Sequence, residues 1–528
     1  MGFVVLFLGL FIGHTALQAQ VVLEAYPQKR VRVWGISPWP AEVPVSLQTV
    51  AVREVAEPGG RVCWRVAERG LIREEPGARN PLDRRQYFHG RRYLPDDAVQ
   101  HVAFDAAARA VWARTATGVA RIEMRPMTMA AKAALFEERV AARHDRLGFV
   151  SSSILDRPGD LSSNRLDPSD NDGLWTVLYA AAECYRYAVT RDAAALDRAR
   201  RSTEAVLKLE EVTGRSGYPA RSYIRRGDWR AEGGTWHWTP DGEIEWKSDT
   251  SSDEIVGHFY LFALAYDLLP DEALRGRIRA TCRRMMDHLL RHDLNLTDIH
   301  GLPTYWGRWS PEYFATARGL GDGPLNAVEL LSFLLVTHHL TGEPKYRAEY
   351  ERLAGPGGYL KLAGRLLELR EELNYSDEEL AMLPFYLVFR YEKNEALLKQ
   401  YRAAMDLWWK NLQRERNPLW MFIYQTAWPK GKIDLAPAAH TLYRIPLDLI
   451  NWSVDNNWRK DLQWAGEPDR HGRREALTWI APDERLIMKW NGNPFVVTGG
   501  GAGHSEDDGA FFLLPYWMGR YHKFLLGE

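Results

Sequence analysis

Residues 249–260 read DTSSDEIVGHFY, a polar start that leads directly into an apolar run. Within this stretch Ser251 is followed three residues later by Glu254, which is the spacing of a capping box at the start of a helix. The same spacing recurs at Ser169/Asp172, Asn326/Glu329, Ser376/Glu379 and Ser505/Asp508. Recurring helix starts separated by second helices predict a solenoid or ring whose equivalent helix ends face the same way. Such a ring gathers its acidic loops into one cleft.

The helical part of the pattern consists of an apolar helix followed, in most cases, by a more polar one. The apolar helices are predicted at 172–189, 252–269, 326–341, 376–391 and 508–524. A further inner helix is expected at 434–450, and the run at 130–147 is expected to be the outer partner of the last helix. Apolar first helices and polar second helices predict an inner and an outer layer. Residues 126–528 are therefore predicted to form an (α/α)6 toroid, which makes the protein mainly α.

The region before the helices has the short alternating pattern of β-strands. Such runs occur at 31–34, 62–66, 101–104 and 110–113, and proline and glycine separate them. We therefore expect a small β-rich module over residues 20–125 ahead of the toroid.

The first residues indicate export. Residues 3–12 are a short apolar run, and Ala16-Leu17-Gln18-Ala19 follows it. This pattern is typical of a signal peptide over 1–19 that is cleaved near Ala19, so we expect a periplasmic or secreted protein. An uncleaved anchor is the alternative, because Leu17 is larger than the usual residue there. The chain has 3 cysteines, an odd number, so no disulfide framework is expected.

Composition narrows the class of partner. The formal net charge is -1, which removes the simplest argument for nucleic acid or an anionic membrane as partner. The chain holds 21 tryptophans and 23 tyrosines, whose flat rings suit sugar stacking and also fill helical cores. An oligo- or polysaccharide is the partner that we expect, with no nucleic acid and no membrane after signal cleavage.

The candidate catalytic residues lie at two of the acidic helix starts. They are Asp249, Asp253, Glu254, His258 and Asp377. A capping box needs Glu254 but not Asp249, Asp253 or Asp377, and crowded carboxylates raise each other's pKa while a helix start lowers it. Glycoside hydrolysis needs two carboxyls across the scissile bond. The alternatives are that these acids only cap helices and that His258 is a hydrogen-bonded core residue.

Polar and aromatic residues near these starts are candidates for substrate binding. They are Asp172, Trp175, Tyr218, Arg221, Trp246, Tyr305 and Arg308. Tyr305 with Arg308 also fits a lyase, in which a tyrosine or histidine removes a proton while an arginine holds a uronate carboxyl. Trp306 and Trp309 fit structural packing at least as well as binding. The sequence contains no metal-binding motif such as His-Glu-x-x-His, so no metal and no cofactor are expected.

Several segments between Asp170 and Tyr521 carry a family resemblance. They are residues 171–175 (NDGLW), 249–258 (DTSSDEIVGH), 375–380 (YSDEEL) and 514–521 (LPYWMGRY). With them the chain resembles a little-characterised bacterial periplasmic helical domain that occurs beside sensor-type propeller repeats, and residues 93–122 resemble one such repeat. More distantly, the layout is similar to six-hairpin glycosidases and toroid polysaccharide lyases. The resemblance implies carbohydrate chemistry and assigns no residue a role.

The sequence thus leaves three functional hypotheses. The first is an exported glycoside hydrolase that uses Asp253 or Asp249 with Asp377. The second is a polysaccharide lyase that relies on His258, Tyr305 and Arg308. The third is a noncatalytic glycan-binding or sensory module.

Overall fold

The computed structural model describes residues 20–36, 39–48, 51–365 and 374–527. The predicted signal peptide over 1–19, with its cleavage site near Ala19, lies outside the described residues.

Eight of the nine described strands in the first part of the chain form two antiparallel sheets, and the first strand, Val21–Val22, pairs in parallel with Leu525–Leu526. Their bounds are β1 Val21–Val22, β2 Tyr26–Gly35, β3 Glu54–Ala56, β4 Cys63–Val66, β5 Leu71–Glu74, β6 Arg85–Phe88, β7 His101–Asp105, β8 Ala110–Arg114 and β9 Gly118–Met127. One 4-stranded sheet has the order β2-β9-β8-β7, and the other 4-stranded sheet has the order β3-β4-β5-β6. The longest pairing runs from Tyr26 opposite Met127 to Gly35 opposite Gly118. A small β-rich region therefore precedes the helices.

Helices dominate the rest of the described chain. Their bounds are α1 Met129–Arg143, α2 Asp172–Thr190, α3 Ala193–Glu211, α4 Ser252–Leu268, α5 Glu272–Arg291, α6 Pro311–Phe314, α7 Ala317–Thr341, α8 Pro344–Ala354, α9 Tyr359–Ala363, α10 Tyr375–Tyr391, α11 Glu395–Leu412, α12 Pro418–Thr426, α13 Ala436–Arg444 and α14 Ala510–Tyr521. Short strands decorate the connections: β10 Asp145–Arg146, β11 Phe149–Val150, β12 Ser153–Leu155, β13 Asn164–Leu166, β14 Ser222–Arg225, β15 Trp236–Trp238, β16 Ile244–Lys247, β17 Asn295–Thr297, β18 Pro303–Arg308, β19 Ser505–Glu506 and β20 Leu525–Leu526.

The apolar helices contact one another in a series that returns to its beginning. Helix α2 contacts α4, and the contacts continue through α7, α10, α12 and α14 back to α2. More polar helices pack on this series: α3 lies on α2 and α4, α5 on α4 and α7, and α11 on α10 and α12. Helix α1 contacts α14, as expected for its outer partner. Apolar residues of the inner series form the main core.

The prediction of a capping box at α4 is wrong. Ser251 stands at the N-cap, but its side chain makes no cap hydrogen bond. The Glu254 carboxyl is buried and does not return to the Ser251 amide. The two residues have the spacing of a capping box, but packing against α2 determines the position of the Glu254 carboxyl group.

The predicted start of α7 is also wrong. The helix begins at Ala317, where the Thr316 hydroxyl accepts a hydrogen bond of 3.0 Å from the Gly319 amide. Asn326 and Glu329 consequently lie in its middle. Pro324 removes one helical hydrogen bond, but the helix continues because its residues on both sides of this proline are buried.

The predicted inner helix at 434–450 is replaced by another segment. Helix α12, which starts at Pro418, contacts α10 and α14. Helix α13 instead packs on α12, and its Leu442 and Tyr443 carbonyl oxygens each accept a hydrogen bond of 3.0 Å from the Lys132 ammonium group of α1. Asn417 caps α12 by accepting a hydrogen bond of 3.0 Å from the Leu419 amide. Pro418 suits the first helical position, because a first-turn residue needs no helical N–H bond. The sequence shows no helical periodicity here because residues 418–425 are buried on all sides.

Two glycines allow α2 and α4 to pack closely. A Cβ on Gly257 would lie 2.9 Å from the Gly173 carbonyl oxygen and 3.0 Å from Leu174 Cα. A Cβ on Gly173 would lie 2.0 Å from a Glu254 carboxyl oxygen. The backbones of the two helices are therefore in direct contact, and this contact fixes the start of α4 relative to the start of α2.

Buried ion pairs join the β-rich region to the part of the chain after α12. The Arg444 guanidinium donates to the carboxylates of Asp83 at 2.9 Å, Asp483 at 3.0 Å and Glu484 at 2.8 Å. Lys29 pairs with Asp483 at 2.7 Å. Burial alone would raise the pKa of Asp483, but Arg444 and Lys29 outweigh it and hold that pKa below its usual range. Removing one partner would leave a buried charge uncompensated, so this network ties the two regions together.

The α2–α4 contact can be tested with a pair of glycine substitutions. Gly257→Ala is expected to lower the free energy of unfolding by about 1–3 kcal/mol, because the added methyl group would push two packed backbones apart. Gly276 lies inside α5 with open space around its Cβ position. Gly276→Ala is therefore expected to raise the free energy of unfolding by about 0.5–1 kcal/mol, because alanine has a higher helix propensity than glycine. Urea unfolding followed by circular dichroism measures both. A Gly257→Ala variant that is as stable as the wild type, or more stable, would contradict the tight contact.

Candidate functional site

A cleft opens where the starts of α4 and α10 face one stretch of α7. Its volume is ≈ 770 Å³. Its polar and charged lining residues are Arg221, Ser251, Ser252, Asp253, Asp322, Asn326, Asn374, Ser376, Asp377 and Arg470. Trp306, Gly321, Leu325 and Leu380 complete the lining. Two of the predicted catalytic acids, Asp253 and Asp377, therefore line the same open cleft.

Asp253 lies in the first turn of α4 and is only partly exposed to the cleft. The Asn171 side-chain amide donates a hydrogen bond of 3.0 Å to its Oδ2 atom. Burial raises the pKa of Asp253, and the negative charge of Asp377 raises it further, whereas Arg221 and the Asn171 amide act in the opposite direction. The net result is a carboxyl that holds its proton to a higher pH than an ordinary aspartate.

Asp377 lies in the first turn of α10, close enough to Asp253 for the two charges to interact. Its backbone amide donates a hydrogen bond of 2.8 Å to the Asn374 carbonyl oxygen, so the turn that carries it is ordered. A helix start favours a carboxylate because its amide groups carry partial positive charge. The cleft therefore contains two interacting carboxyl groups, each in the first turn of its own helix.

Arg221 lines the cleft and links the segments just before α2 and α4. Its guanidinium donates to the carbonyl oxygens of Asp170 and Asp249, at 2.8 Å in both cases, and to the Asn171 side-chain oxygen at 3.1 Å. Because Asn171 in turn binds Asp253, a single chain of hydrogen bonds runs from Arg221 to the carboxyl in the cleft. Arg221 was predicted to bind substrate. The structure places it in the cleft lining, where it helps to position Asp253 through Asn171.

Glu329 lies in α7, one turn after the lining residue Asn326. It is buried, and its Oε2 atom accepts a hydrogen bond of 2.8 Å from the Trp309 indole. Burial raises its pKa well above the usual value, and the charges of Asp253 and Asp377 add to this effect. Sequence reasoning treated Glu329 only as a capping residue. The sequence signal that could have marked Glu329 is its spacing: it follows Asn326 by three residues, as the acids do at the other predicted helix starts.

Glu254 and His258, both predicted as catalytic candidates, lie in the contact between α2 and α4 and not in the cleft lining. Both are buried. Burial raises the pKa of Glu254 well above its usual value and lowers that of His258 to about 4. The His258 Nδ1 atom hydrogen-bonds the Glu254 carbonyl oxygen at 2.5 Å, within the helix. Neither Glu254 carboxyl oxygen makes a hydrogen bond of ordinary geometry with a described residue, although the Gly173 amide is near enough to favour its charged form.

The loop candidates Asp249, Tyr305 and Arg308 lie beside the cleft. Asp249 adopts a positive φ of 57°, and its Oδ1 atom accepts a hydrogen bond of 3.1 Å from the Tyr305 amide. The Arg308 guanidinium folds back onto its own strand, where it donates to the Thr304 carbonyl oxygen at 2.8 Å. Only the neighbouring Trp306, which is 47% exposed, lines the cleft. Asp249 therefore positions the loop that carries this tryptophan.

The remaining predicted binding residues are also away from the cleft lining. Tyr218, Trp246 and Asp172 are buried. Asp172 forms an ion pair with Arg146. Trp175 is half-buried beneath the Lys489 ammonium group, which lies 4.6 Å from its ring. Aromatic residues in this sequence thus serve packing more often than binding.

Among the described residues, no group of three or more histidine, cysteine, aspartate or glutamate side chains is arranged to hold a metal ion. The side chains of Asp253, Glu254 and His258 do not converge on one point, because Asp253 faces the cleft while Glu254 and His258 lie beneath it.

Comparisons with known proteins give weak similarities. No protein-family model and no curated protein matches the chain. A family 76 glycoside hydrolase from a bovine Bacteroides thetaiotaomicron strain is similar in structure, with 11% identity, a TM-score of 0.41, and coverage of 78% of this chain and 83% of that one. A single-mutant thermostable endoglucanase from Alicyclobacillus acidocaldarius has 12% identity, a TM-score of 0.40, and coverage of 96% and 98%. A metagenome-derived glycoside hydrolase family 9 endoglucanase has 10% identity, a TM-score of 0.34, and coverage of 97% and 98%. These TM-scores are too low to assign a function.

The interaction between the two cleft acids has a measurable consequence. Asp377→Asn is expected to lower the pKa of Asp253, because it removes the negative charge that opposes ionisation. The Glu272→Gln control, in the exposed first turn of α5, is expected to leave it unchanged. The measurement is a pH titration of the carboxyl carbon by NMR in aspartate-labelled protein, with the Asp253 signal identified by its loss in Asp253→Asn. A pKa that stays constant or rises in Asp377→Asn would show that the two carboxyls do not interact.

Proposed function

We propose that this protein is an exported glycoside hydrolase whose helical part is an (α/α)6 toroid over residues 126–528, behind a β-rich module over 20–125. The closed series of contacts from α2 through α14 back to α2 supports the toroid. Export rests on the apolar run of residues 3–12. The observation that carries the activity is that Asp253 and Asp377 line one open cleft together with an exposed tryptophan.

The environments of the two acids suggest their roles. Asp253 is the general acid, because burial and the neighbouring charge favour its protonated form. It would donate its proton to the glycosidic oxygen as the bond to the leaving sugar breaks. Asp377, at the helix start, would be the carboxylate that activates a water molecule or attacks the anomeric carbon. The exposed ring of Trp306 offers a flat surface on which a sugar ring can stack.

The arrangement of the residues argues against the lyase hypothesis. A lyase of the predicted kind needs His258 or Tyr305 as base and Arg308 to hold a carboxyl. His258 is buried beneath the cleft, and Arg308 is bonded to its own strand. These residues do not meet at one exposed point, whereas Asp253 and Asp377 do.

The test is an assay of hydrolysis with a panel of soluble polysaccharides, in which the release of reducing ends measures the rate. Asp253→Asn and Asp377→Asn are each expected to reduce the rate on a responsive glycan by about 100-fold or more, because each removes a group that transfers a proton or attacks in the transition state. Glu272→Gln is the matched control, since it also neutralises an acid in the first turn of a helix, and it is expected to retain the full rate.

Three outcomes would contradict the proposal. Retained turnover in both aspartate variants would exclude this acid pair. An unsaturated product that absorbs in the ultraviolet would indicate elimination and therefore a lyase. Tight binding of a glycan that the wild-type protein never cleaves would favour the noncatalytic binding module.

A further inference from the structure

A second cavity continues the cleft beyond Asp377. Its volume is ≈ 440 Å³. Asn374, Ser376 and Arg470 line both spaces, so the two join at the start of α10. The other lining residues of this second cavity are Tyr375, Arg414, Pro468, Asp469, His471, Arg473, Glu475, Asn491, Gly492 and Asn493. We call this continuation the basic arm.

The acids of the basic arm already have partners. Asp469 pairs with the Arg473 guanidinium at 2.7 Å and accepts hydrogen bonds from the His471 and Arg473 amides at 2.9 Å and 2.8 Å. Burial alone would raise the pKa of Asp469, but these contacts outweigh it and keep the carboxyl charged. Glu475 accepts a hydrogen bond from the Asn493 side chain. Asp469 is thus neutralised within the arm, whereas the partner of Glu475 is a neutral amide. The three lining arginines, Arg414, Arg470 and Arg473, outnumber these two acids.

Two arginines of the arm remain available. Arg414 and Arg470 are exposed, and neither forms an ion pair with a carboxylate among the described residues. The Arg414 guanidinium lies 3.9 Å from the centre of the Phe495 ring and also hydrogen-bonds the Tyr375 side chain. A guanidinium has five N–H donors, so this one contact leaves others that can bind a ligand. Arg470 lies where the arm meets the cleft. The arm therefore presents two guanidinium groups next to Asp377.

The two ends of the combined groove differ in chemistry. Trp306, whose ring lies 4.4 Å from the Arg318 guanidinium, lines the cleft but not the arm. Arg414 lines the arm but not the cleft, and Arg470 lines both. A guanidinium group binds a carboxylate or a sulfate ester through paired, charge-assisted hydrogen bonds. Resting on the proposed hydrolase function, we propose that the basic arm binds an anionic sugar unit, so that the substrate is an acidic glycan. The neutral sugar unit next to it would stack on Trp306.

The experiment measures binding without turnover. Isothermal titration calorimetry on the Asp253→Asn, Asp377→Asn double variant would use uronate tetrasaccharides with their methyl esters, and sulfated tetrasaccharides with their desulfated forms. At least one acidic form is expected to bind about 10-fold or more tightly than its neutral counterpart, because each charge-assisted contact adds affinity that a neutral group cannot supply. The two families separate a carboxylate from a sulfate as the preferred anion. The preference is expected to shrink as salt is added.

Arginine substitutions in the same background locate the subsite. Arg414→Gln and Arg470→Gln together are expected to reduce the affinity for the acidic form to that of the neutral form. Arg474→Gln is the matched control: Arg474 is exposed in the same segment, stacks on Trp464 at 3.9 Å and does not line the arm, so it is expected to change nothing. Circular dichroism spectra check that all variants are folded.

The proposal is overturned if no acidic form binds better than its neutral counterpart, or if the preference survives the loss of Arg414 and Arg470. Failure of the hydrolase proposal gives a different result, namely the absence of cleavage by the wild-type protein, and it does not affect these binding measurements.

Discussion

The contact between α2 and α4 is the constraint on which the arrangement of the cleft depends. Gly173 and Gly257 have no side chains, so the two backbones meet directly. This close approach brings the residue before α2, Asn171, next to the first turn of α4, where it hydrogen-bonds Asp253. A larger residue at either glycine would separate the helix starts and move the amide away from the carboxyl. The direction in which Asp253 points is thus set by packing in the core.

The interior behind the cleft contains carboxyl groups that a core normally excludes. Asp172 is compensated by its ion pair with Arg146, while Glu254 and Glu329 have raised pKa values because burial penalises their charged forms. Burial thus disfavours the charged forms of Glu254 and Glu329, whereas Asp172 is held in an ion pair. These carboxyls lie behind the cleft, and the acids that line it are Asp253, Asp322 and Asp377.

Much of the fold and part of the site could be predicted from the sequence. Asp253 and Asp377 were predicted because helix capping does not require them, and Arg221 because it lies in a polar and aromatic loop near the acidic helix starts. The structure places all three in one cleft. Glu254 and His258 were placed too near the surface, since helical spacing gives the face of a residue but not how closely the next helix approaches. Helix α12 was missed because a segment buried on all sides has no periodicity. Arg470 was missed because it belongs to a long irregular segment, whose path depends on tertiary contacts.

The series of contacts from α2 through α14 and back also has a consequence for the order of folding. Neighbouring helices such as α2 and α3 meet after a short turn, so these pairs can form early. The contact between α14 and α2 joins segments from opposite ends of the helical part and has to wait for the helices between them. Asp253 and Asp377 come from different helices of this series. These two helices, α4 and α10, contact each other and α7 directly. A partly folded chain in which α14 has not yet reached α2 can therefore already hold the two acids together.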